Sequence, residues 1–245
     1  MPARTVAVVG AAGGVGATRL TVEMGATLAR AGSSVALFDA AFATQGLARH
    51  VEGRLDPDAT AVLADDAALE AALVDHAAAA DLPGSLAVAP AHAPFGRVAM
   101  ALAPSAGERF STLLADHDFD AAVVDVPPVA SNPAVAAVTA ADRVVVVTTA
   151  DGRGLDALQQ QRGRLADVGA ACDVVVANRE SGETPPDADH AVPTSDVTAA
   201  ADAPAVLDDR AFARAVADVT AAAFDVDADI GPDGSLLDDA WDRLS

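Results

Sequence analysis

The chain has 245 residues, a length that suits one large α/β domain. Its 36 acidic residues outnumber 15 basic ones, all of which are arginine, and the formal net charge is −21. This charge does not support direct DNA binding, and the composition is typical of halophilic proteins, for which salt shortens the Debye length to about 3 Å at 1 M. A single cysteine, Cys172, excludes an internal disulfide and a cysteine-built metal site.

Short apolar runs alternate with helical patterns along the chain. Strands are predicted at 5–10, 34–39, 85–91, 120–126, 143–149 and 173–179. Helices are predicted at 16–31, 67–80, 105–117, 132–140, 152–168 and 208–224. The strands are almost continuously apolar, as expected for parallel strands covered on both faces. The alternation predicts an α/β fold with a single doubly wound, mostly parallel sheet and helices on both faces.

The predicted domain occupies residues 1–224, and residues 225–245 form an acidic C-terminal tail or short helix. Within the domain, residues 180–204 are rich in Pro, Asp, Ser and Thr and predict a surface loop. No apolar run has the length of a membrane span, and no basic segment precedes a signal-like apolar one. We therefore expect a cytoplasmic protein.

The segment VVGAAGGVGATRL, residues 8–20, joins the first predicted strand to the first helix. One interpretation is a dinucleotide-binding turn, with Gly10, Gly13 and Gly16 at G-x-x-G-x-x-G spacing. Asp39 then ends the second strand, where an acid would hold a ribose hydroxyl. On this interpretation the protein is an NAD-binding Rossmann-type oxidoreductase.

The other interpretation is a phosphate-binding P-loop, whose backbone N–H groups hold phosphate and whose hydroxyl binds Mg²⁺. The segment resembles the deviant Walker A loop of the ParA/MinD family, K-G-G-x-G-K-[ST]. The matching residues are Gly13, Gly14, Val15, Gly16 and Thr18. Both lysines of the pattern are absent, because Ala12 and Ala17 stand at those positions.

Two further segments extend this resemblance. Residues 31–49 are similar to the family's second strand and switch, with Asp39 at its first acid and Ala41 in place of its second. Residues 117–151 resemble the Walker B strand and the strand after it, with Asp125 at the Walker B acid. The resemblance implies that Thr18, Asp39 and Asp125 are the metal-binding residues, with Asp39 also a possible catalytic residue.

The strand VVVANR, residues 174–179, looks like the family strand whose asparagine contacts adenine, here Asn178. Residues 190–207 resemble the family segment that follows it. The resemblance covers about residues 4–224. It implies ATP or ADP with Mg²⁺ as cofactors, contacted by residues 13–19, which include Ala17 and Arg19, and by Asn178.

The missing lysines predict that nucleotide binding is weakened or lost. A charge-assisted contact is worth about 1.5–3 kcal/mol, and a cation that acts in the transition state is worth on the order of 10³-fold in rate. We therefore expect a degenerate P-loop protein, a pseudo-ATPase or weak adenine-nucleotide binder. The resemblance implies a regulatory or scaffolding role in spatial organisation or partitioning, as a homodimer or as a heterodimer with an intact family member.

An active ATPase is the alternative within the same family, with its cation supplied by Arg19 or by a partner chain. Arg19 lies about 200° around the helix from Ala17, so we expect it to face away from the phosphates. Arg153 and Arg179 follow predicted strands at the carboxyl edge of the sheet and are further sources of positive charge.

Overall fold

The computed structural model describes residues 4–180, 182 and 184–226. One mixed sheet forms the centre of this part of the chain. Its strands are β1 Thr5–Gly10, β2 Ser34–Asp39, β3 Val74–Asp75, β4 Ser85–Ala89, β5 Ala121–Val126, β6 Arg143–Thr148, β7 Val174–Asn178 and β8 His190–Val192. They lie in the order β3-β4-β2-β5-β1-β6-β7-β8. All neighbouring strands are parallel except β3, which pairs antiparallel with β4.

The α-helices are α1 Ala17–Arg30, α2 Ala59–Ala64, α3 Leu69–Ala72, α4 Phe95–Ala101, α5 Pro104–Ala115, α6 Asn132–Ala140, α7 Gly152–Asp167 and α8 Arg210–Phe224. Alternate side chains of β1 enter two separate cores, with Val6 and Val8 on the α1 and α8 side and Ala7 and Val9 on the other. This period of two places helices on both faces. The predicted doubly wound sheet is therefore confirmed.

All six predicted strands are present, but the helix predicted at 67–80 is wrong. Only four residues of that segment form α3, and β3 and a 3-10 turn at Ala77–Ala79 follow it. The His76 N–H donates to the Leu86 carbonyl at 2.8 Å, and the His76 ring accepts from the Ala78 N–H. Pairing with the edge of the sheet outweighs the helix propensity of the alanines.

The prediction that residues 180–204 form only a loop also needs correction. Residues 190–192 are β8, which extends the sheet beyond β7 in parallel register. The predicted tail at 225–245 falls outside the described residues, apart from Asp225 and Val226. Within the described part of the chain, no helix has both the length and the apolar character needed to cross a membrane.

The strand order separates the two interpretations of the glycine loop. In the dinucleotide-binding order 3-2-1-4-5-6, the first two strands are neighbours. Here β5 lies between β1 and β2, so Asp39 is two strands away from the glycine loop and Asp125 is one strand away. The order disfavours the Rossmann interpretation and places an acid beside the loop, as the P-loop interpretation requires.

Candidate functional site

The glycine loop turns between β1 and α1 in a conformation that requires glycine. Gly14 and Gly16 have φ angles of 81° and 95°, in the left-handed region. Gly13 and Gly14 are exposed, and nothing lies within 4 Å of a Cβ placed on either residue. Gly16 caps α1 without any side-chain hydrogen bond, so no cap side chain competes for the first N–H groups of the helix. Such a loop is suited to an anion.

Asn178, at the end of β7, supports this loop. Its Nδ2 donates to the Val15 carbonyl at 2.8 Å, and its Oδ1 accepts from the Arg179 N–H at 3.0 Å. A Cβ on Gly16 would lie 2.2 Å from Nδ2, so the amide packs directly on the loop backbone. The structure thus gives Asn178 a supporting role, and contact with adenine stays a prediction.

Two buried carboxyl groups lie side by side on the other side of the loop. Asp39 and Asp125 are register neighbours at the ends of β2 and β5, and they are 0% and 1% exposed. Burial raises the pKa of Asp39, against the hydrogen bonds that it accepts from the Ala91 and Ala41 N–H groups. Burial, followed by the charge of Asp39, raises the pKa of Asp125, and the Thr18 side chain opposes this shift. No arginine of the described residues forms an ion pair with either carboxyl group.

Thr18 lies against the two acids, because its side chain contacts Asp125, the register neighbour of Asp39. Their role as metal ligands stays a prediction. The Oδ2 atom of Asp125 has no hydrogen-bond partner among the described residues. The loop after β2 covers Thr18 so closely that a Cβ on Gly46 would lie 2.9 Å from the Thr18 Oγ1. Carboxylate and hydroxyl oxygens suit Mg²⁺. Within the described ranges no three His, Cys, Asp or Glu residues form a metal cluster, so an ion held here would take its remaining ligands from water or phosphate.

Ala12 and Ala17, which the sequence resemblance aligns with two lysines, are uncharged. Ala17 is the first residue of α1 and is only 8% exposed, and Ala12 is half-buried against the core. Ala41, in place of the second acid, is also buried and contributes its backbone N–H to Asp39. The glycines and carboxyl groups are thus present around the loop, and positions 12 and 17 carry no basic side chain.

A pocket of about 270 Å³ opens beside Gly16, on the side away from the two acids. Arg19 of α1, Arg179 after β7 and His50 are among the residues that line it. Burial, followed by the charge of Arg19, lowers the pKa of His50 to about 4, so its ring is neutral at pH 7. None of the described residues that line the pocket is acidic. Arg19 is paired with Glu23 behind the pocket wall, so the unpaired positive charge comes from Arg179.

Arg19 lines the wall of this pocket, and the expectation that it faces away from the phosphates stays a prediction. Its Nε pairs with Glu23, a fully buried carboxylate one turn along α1. Glu23 also accepts the N–H groups of Ala205 and Val206, at 2.8 and 3.0 Å, and thereby attaches the chain after β8 to α1. The pocket wall therefore depends on contacts between distant segments.

Several pocket residues were not identified from the sequence. They are His50 and the hydroxyl side chains Thr194, Ser195 and Thr198 of the loop after β8. A polar run that follows a strand at the carboxyl edge was the available signal. The signal is weak because β8 is a three-residue strand inside a polar segment.

Comparisons with known proteins agree with this architecture. A family model described as "AAA domain" matches residues 3–170. No curated protein matches the chain significantly. The fold is similar to that of the septum site-determining protein MinD in complex with Mg-ADP from Pyrococcus horikoshii, with a TM-score of 0.70 and 22% identity. That match covers 89% of this chain and 94% of the other.

Two further solved structures show the same fold. The MinC:MinD cell division complex of Aquifex aeolicus matches with a TM-score of 0.70 and 22% identity, over 89% of this chain and 94% of that one. A ParA family ATPase from Chlorobium tepidum matches with a TM-score of 0.70 and 14% identity, over 89% and 98%. At these identities the similarity concerns the fold.

Proposed function

The chain belongs to the AAA-domain family and has the fold of the ParA/MinD-like P-loop NTPases, and we propose that it is a nucleotide-switch protein with a degenerate site. It binds an adenine nucleotide weakly and hydrolyses it very slowly or not at all. Its role is regulatory or scaffolding, in spatial organisation or partitioning.

One observation carries this proposal: the glycine loop and the acid pair are in place, whereas the two loop lysines are absent. The left-handed glycines, the open loop tip and the stacked Asp39–Asp125 pair are all in place. Alanine stands at both lysine positions, and Ala17 is buried at the start of α1. A scaffold of this kind supports binding through backbone N–H groups, but it lacks the charge that stabilises a breaking phosphoryl bond.

In this proposal the residues divide the work around the nucleotide. The loop N–H groups at 13–18 hold phosphate oxygens, and Thr18 with Asp125 would hold Mg²⁺, which supplies charge neutralisation when bound. Asp39 holds the loop after β2 to the chain after β4, because its carboxylate accepts the Ala41 and Ala91 N–H groups. In a nucleotide switch, such contacts let the loop after β2 respond to whether a nucleotide is bound.

The proposed partners are protein chains. We expect a homodimer, or a heterodimer with a family member that retains its lysines, and the MinC:MinD complex shows that a protein of this fold assembles with another protein. Phe95 on α4 is 86% exposed, and Gly13 and Gly14 are also exposed, so a partner chain can reach all three residues.

A second candidate is an active ATPase with a cation supplied in trans. The exposed tip at Gly13 and Gly14 favours it, because nothing among the described residues covers the place from which a partner's side chain would approach. Such a cation is worth on the order of 10³-fold or more in rate.

The testing experiment is a calorimetric titration of Mg·ATP in multimolar KCl, on the natural protein and on Ala17→Lys. Weak binding that tightens by roughly ten- to a hundred-fold in the variant supports the degenerate P-loop. Steady ATP turnover by the natural protein, lost in Thr18→Ala and Asp125→Ala, would refute the pseudo-ATPase and favour the second candidate. Absence of binding by both proteins would reject the nucleotide site.

A further inference from the structure

The charges around the glycine loop are divided between its two sides. The strands that carry Asp39 and Asp125 lie on one side of β1, and β7 and β8, which border the arginine-lined pocket, lie on the other. A ligand seated in the pocket with an anionic tail over Gly16 therefore extends from positive towards negative surroundings. The first anionic group meets guanidinium groups, and the last meets two carboxyl groups.

From this polarity we infer that Arg179 and Arg19 hold the phosphate nearest the pocket, and that without a metal ion the site binds nucleoside mono- and diphosphates at least as tightly as triphosphates. This inference rests on the proposed nucleotide site and specifies its ligand class. It also provides positive charge beside a loop that contains no lysine.

The first support is the position of Arg179. Its backbone is left-handed, with φ 62°, and its N–H donates to Asn178, which in turn holds the Val15 carbonyl. The Nη2 atom lies 4.0 Å from the place that a Cβ on Gly16 would occupy. The residue is exposed and forms no ion pair with any described carboxylate. Its guanidinium group is therefore available beside the N-terminus of α1.

The second support is a polar atom of Arg19 that lacks a partner. Nε is paired with Glu23, whereas Nη2 is buried and has no hydrogen-bond partner among the described residues. A buried donor without a partner is destabilising. A turn of the guanidinium group would bring this donor to a phosphate oxygen in the adjoining pocket, and arginine is well suited to phosphate because its donors form a planar fork.

The third support is the lack of compensation on the acid side. Asp39 and Asp125 are buried next to each other, and the residues at the lysine positions are Ala12 and Ala17. A terminal phosphate placed near this pair meets carboxyl groups and no cation of the described residues, so it has no favourable charge partner unless a divalent ion lies between them. A second or third phosphate thus forms no additional contact with a basic side chain of the described residues.

The test is a set of titrations with AMP, ADP and ATP, first in EDTA and then with Mg²⁺, at constant ionic strength. In EDTA we expect the three dissociation constants to agree within about threefold, or AMP to bind best. Arg179→Ala should weaken AMP binding by about tenfold, the lower end for a charge-assisted contact. Arg153→Ala is the matched control. Arg153 is an exposed arginine at the same sheet edge, but it does not line this pocket. The affinity of this variant for AMP should be unchanged.

Arg19→Gln provides a second variant, with thermal unfolding measured alongside because Arg19 also pairs with Glu23. Metal-free ATP binding at least tenfold tighter than AMP binding would overturn the inference and leave the proposed function intact. Equal losses in the Arg179 and Arg153 variants would also overturn it, since net charge alone would then explain the effect. If no nucleotide binds either the natural protein or Ala17→Lys, both proposals fail.

Discussion

The buried acid pair predicts that Asp125→Asn stabilises the protein while impairing Mg²⁺-dependent binding. The Asp125 carboxyl is 1% exposed, faces Asp39 and leaves Oδ2 without a partner among the described residues. Ionising it in the folded state is therefore costly, and each unit of pKa shift corresponds to about 1.36 kcal/mol. Allowing for relaxation of the site, we expect the amide variant to be more stable by about 2 kcal/mol or more at pH 8.

The sign of the pH dependence follows from the raised pKa of Asp125. Above pH about 4 the unfolded chain releases this proton while the folded protein keeps it, so the folded state binds more protons and its stability falls as pH rises. The fall continues until pH exceeds the folded-state pKa. The advantage of Asp125→Asn should thus be near zero at about pH 4 and grow towards alkaline pH.

The assay is chemical denaturation of both proteins at several pH values in high salt, which leaves buried charges largely unscreened. Asp120→Asn is the matched control just before the start of β5. Asp120 accepts hydrogen bonds from Ser34 N and Oγ, which lower its pKa, so its replacement should destabilise the protein above pH about 4. If Asp125→Asn also destabilises, or if its effect does not change with pH, the reasoning about the acid pair is refuted.

Three further predictions concern the loop, the pocket wall and the charge. Gly16→Ala should destabilise the protein by about 1–3 kcal/mol, because Gly16 has a φ of 95° and lies close to the Asn178 amide. Gly13 has open space around it, so Gly13→Ala should change the melting temperature little. Equal effects of the two substitutions would contradict this reasoning. Glu23→Ala should cost about 2 kcal/mol or more by leaving two buried N–H donors unpaired, and an unchanged urea midpoint would disprove that role. Because the net charge is −21, the unfolding temperature should rise between about 0.1 and 3 M KCl; a midpoint independent of salt would argue against a halophilic protein.

The sequence was most informative where local pattern and final environment agree. The six long strands were predictable because strands covered on both faces are continuously apolar. The segment at 67–80 misled because its alanines favour a helix, whereas its actual structure depends on the β4 edge, which comes later in the chain.

The site was predictable in its components and not in its arrangement. Glycines, Thr18 and the two acids follow from motif spacing, but motif spacing did not reveal that β5 inserts between β1 and β2. The arginine pocket was missed for a similar reason. Its walls come from α1, the end of β7 and the loop after β8, and only tertiary packing brings these segments together.

The hydrogen bond from Asn178 to Val15 spans 163 positions, and that from Ala205 to Glu23 spans 182. Each contact closes a long loop, so the chain loses the entropy of closing that loop before the contact can stabilise the pocket. The glycine turn is a local structure, but the pocket beside it exists only after the last third of the chain has docked. Ligand affinity in this protein is therefore also a report on the completeness of folding, and a nascent or clipped chain would carry the loop without the pocket.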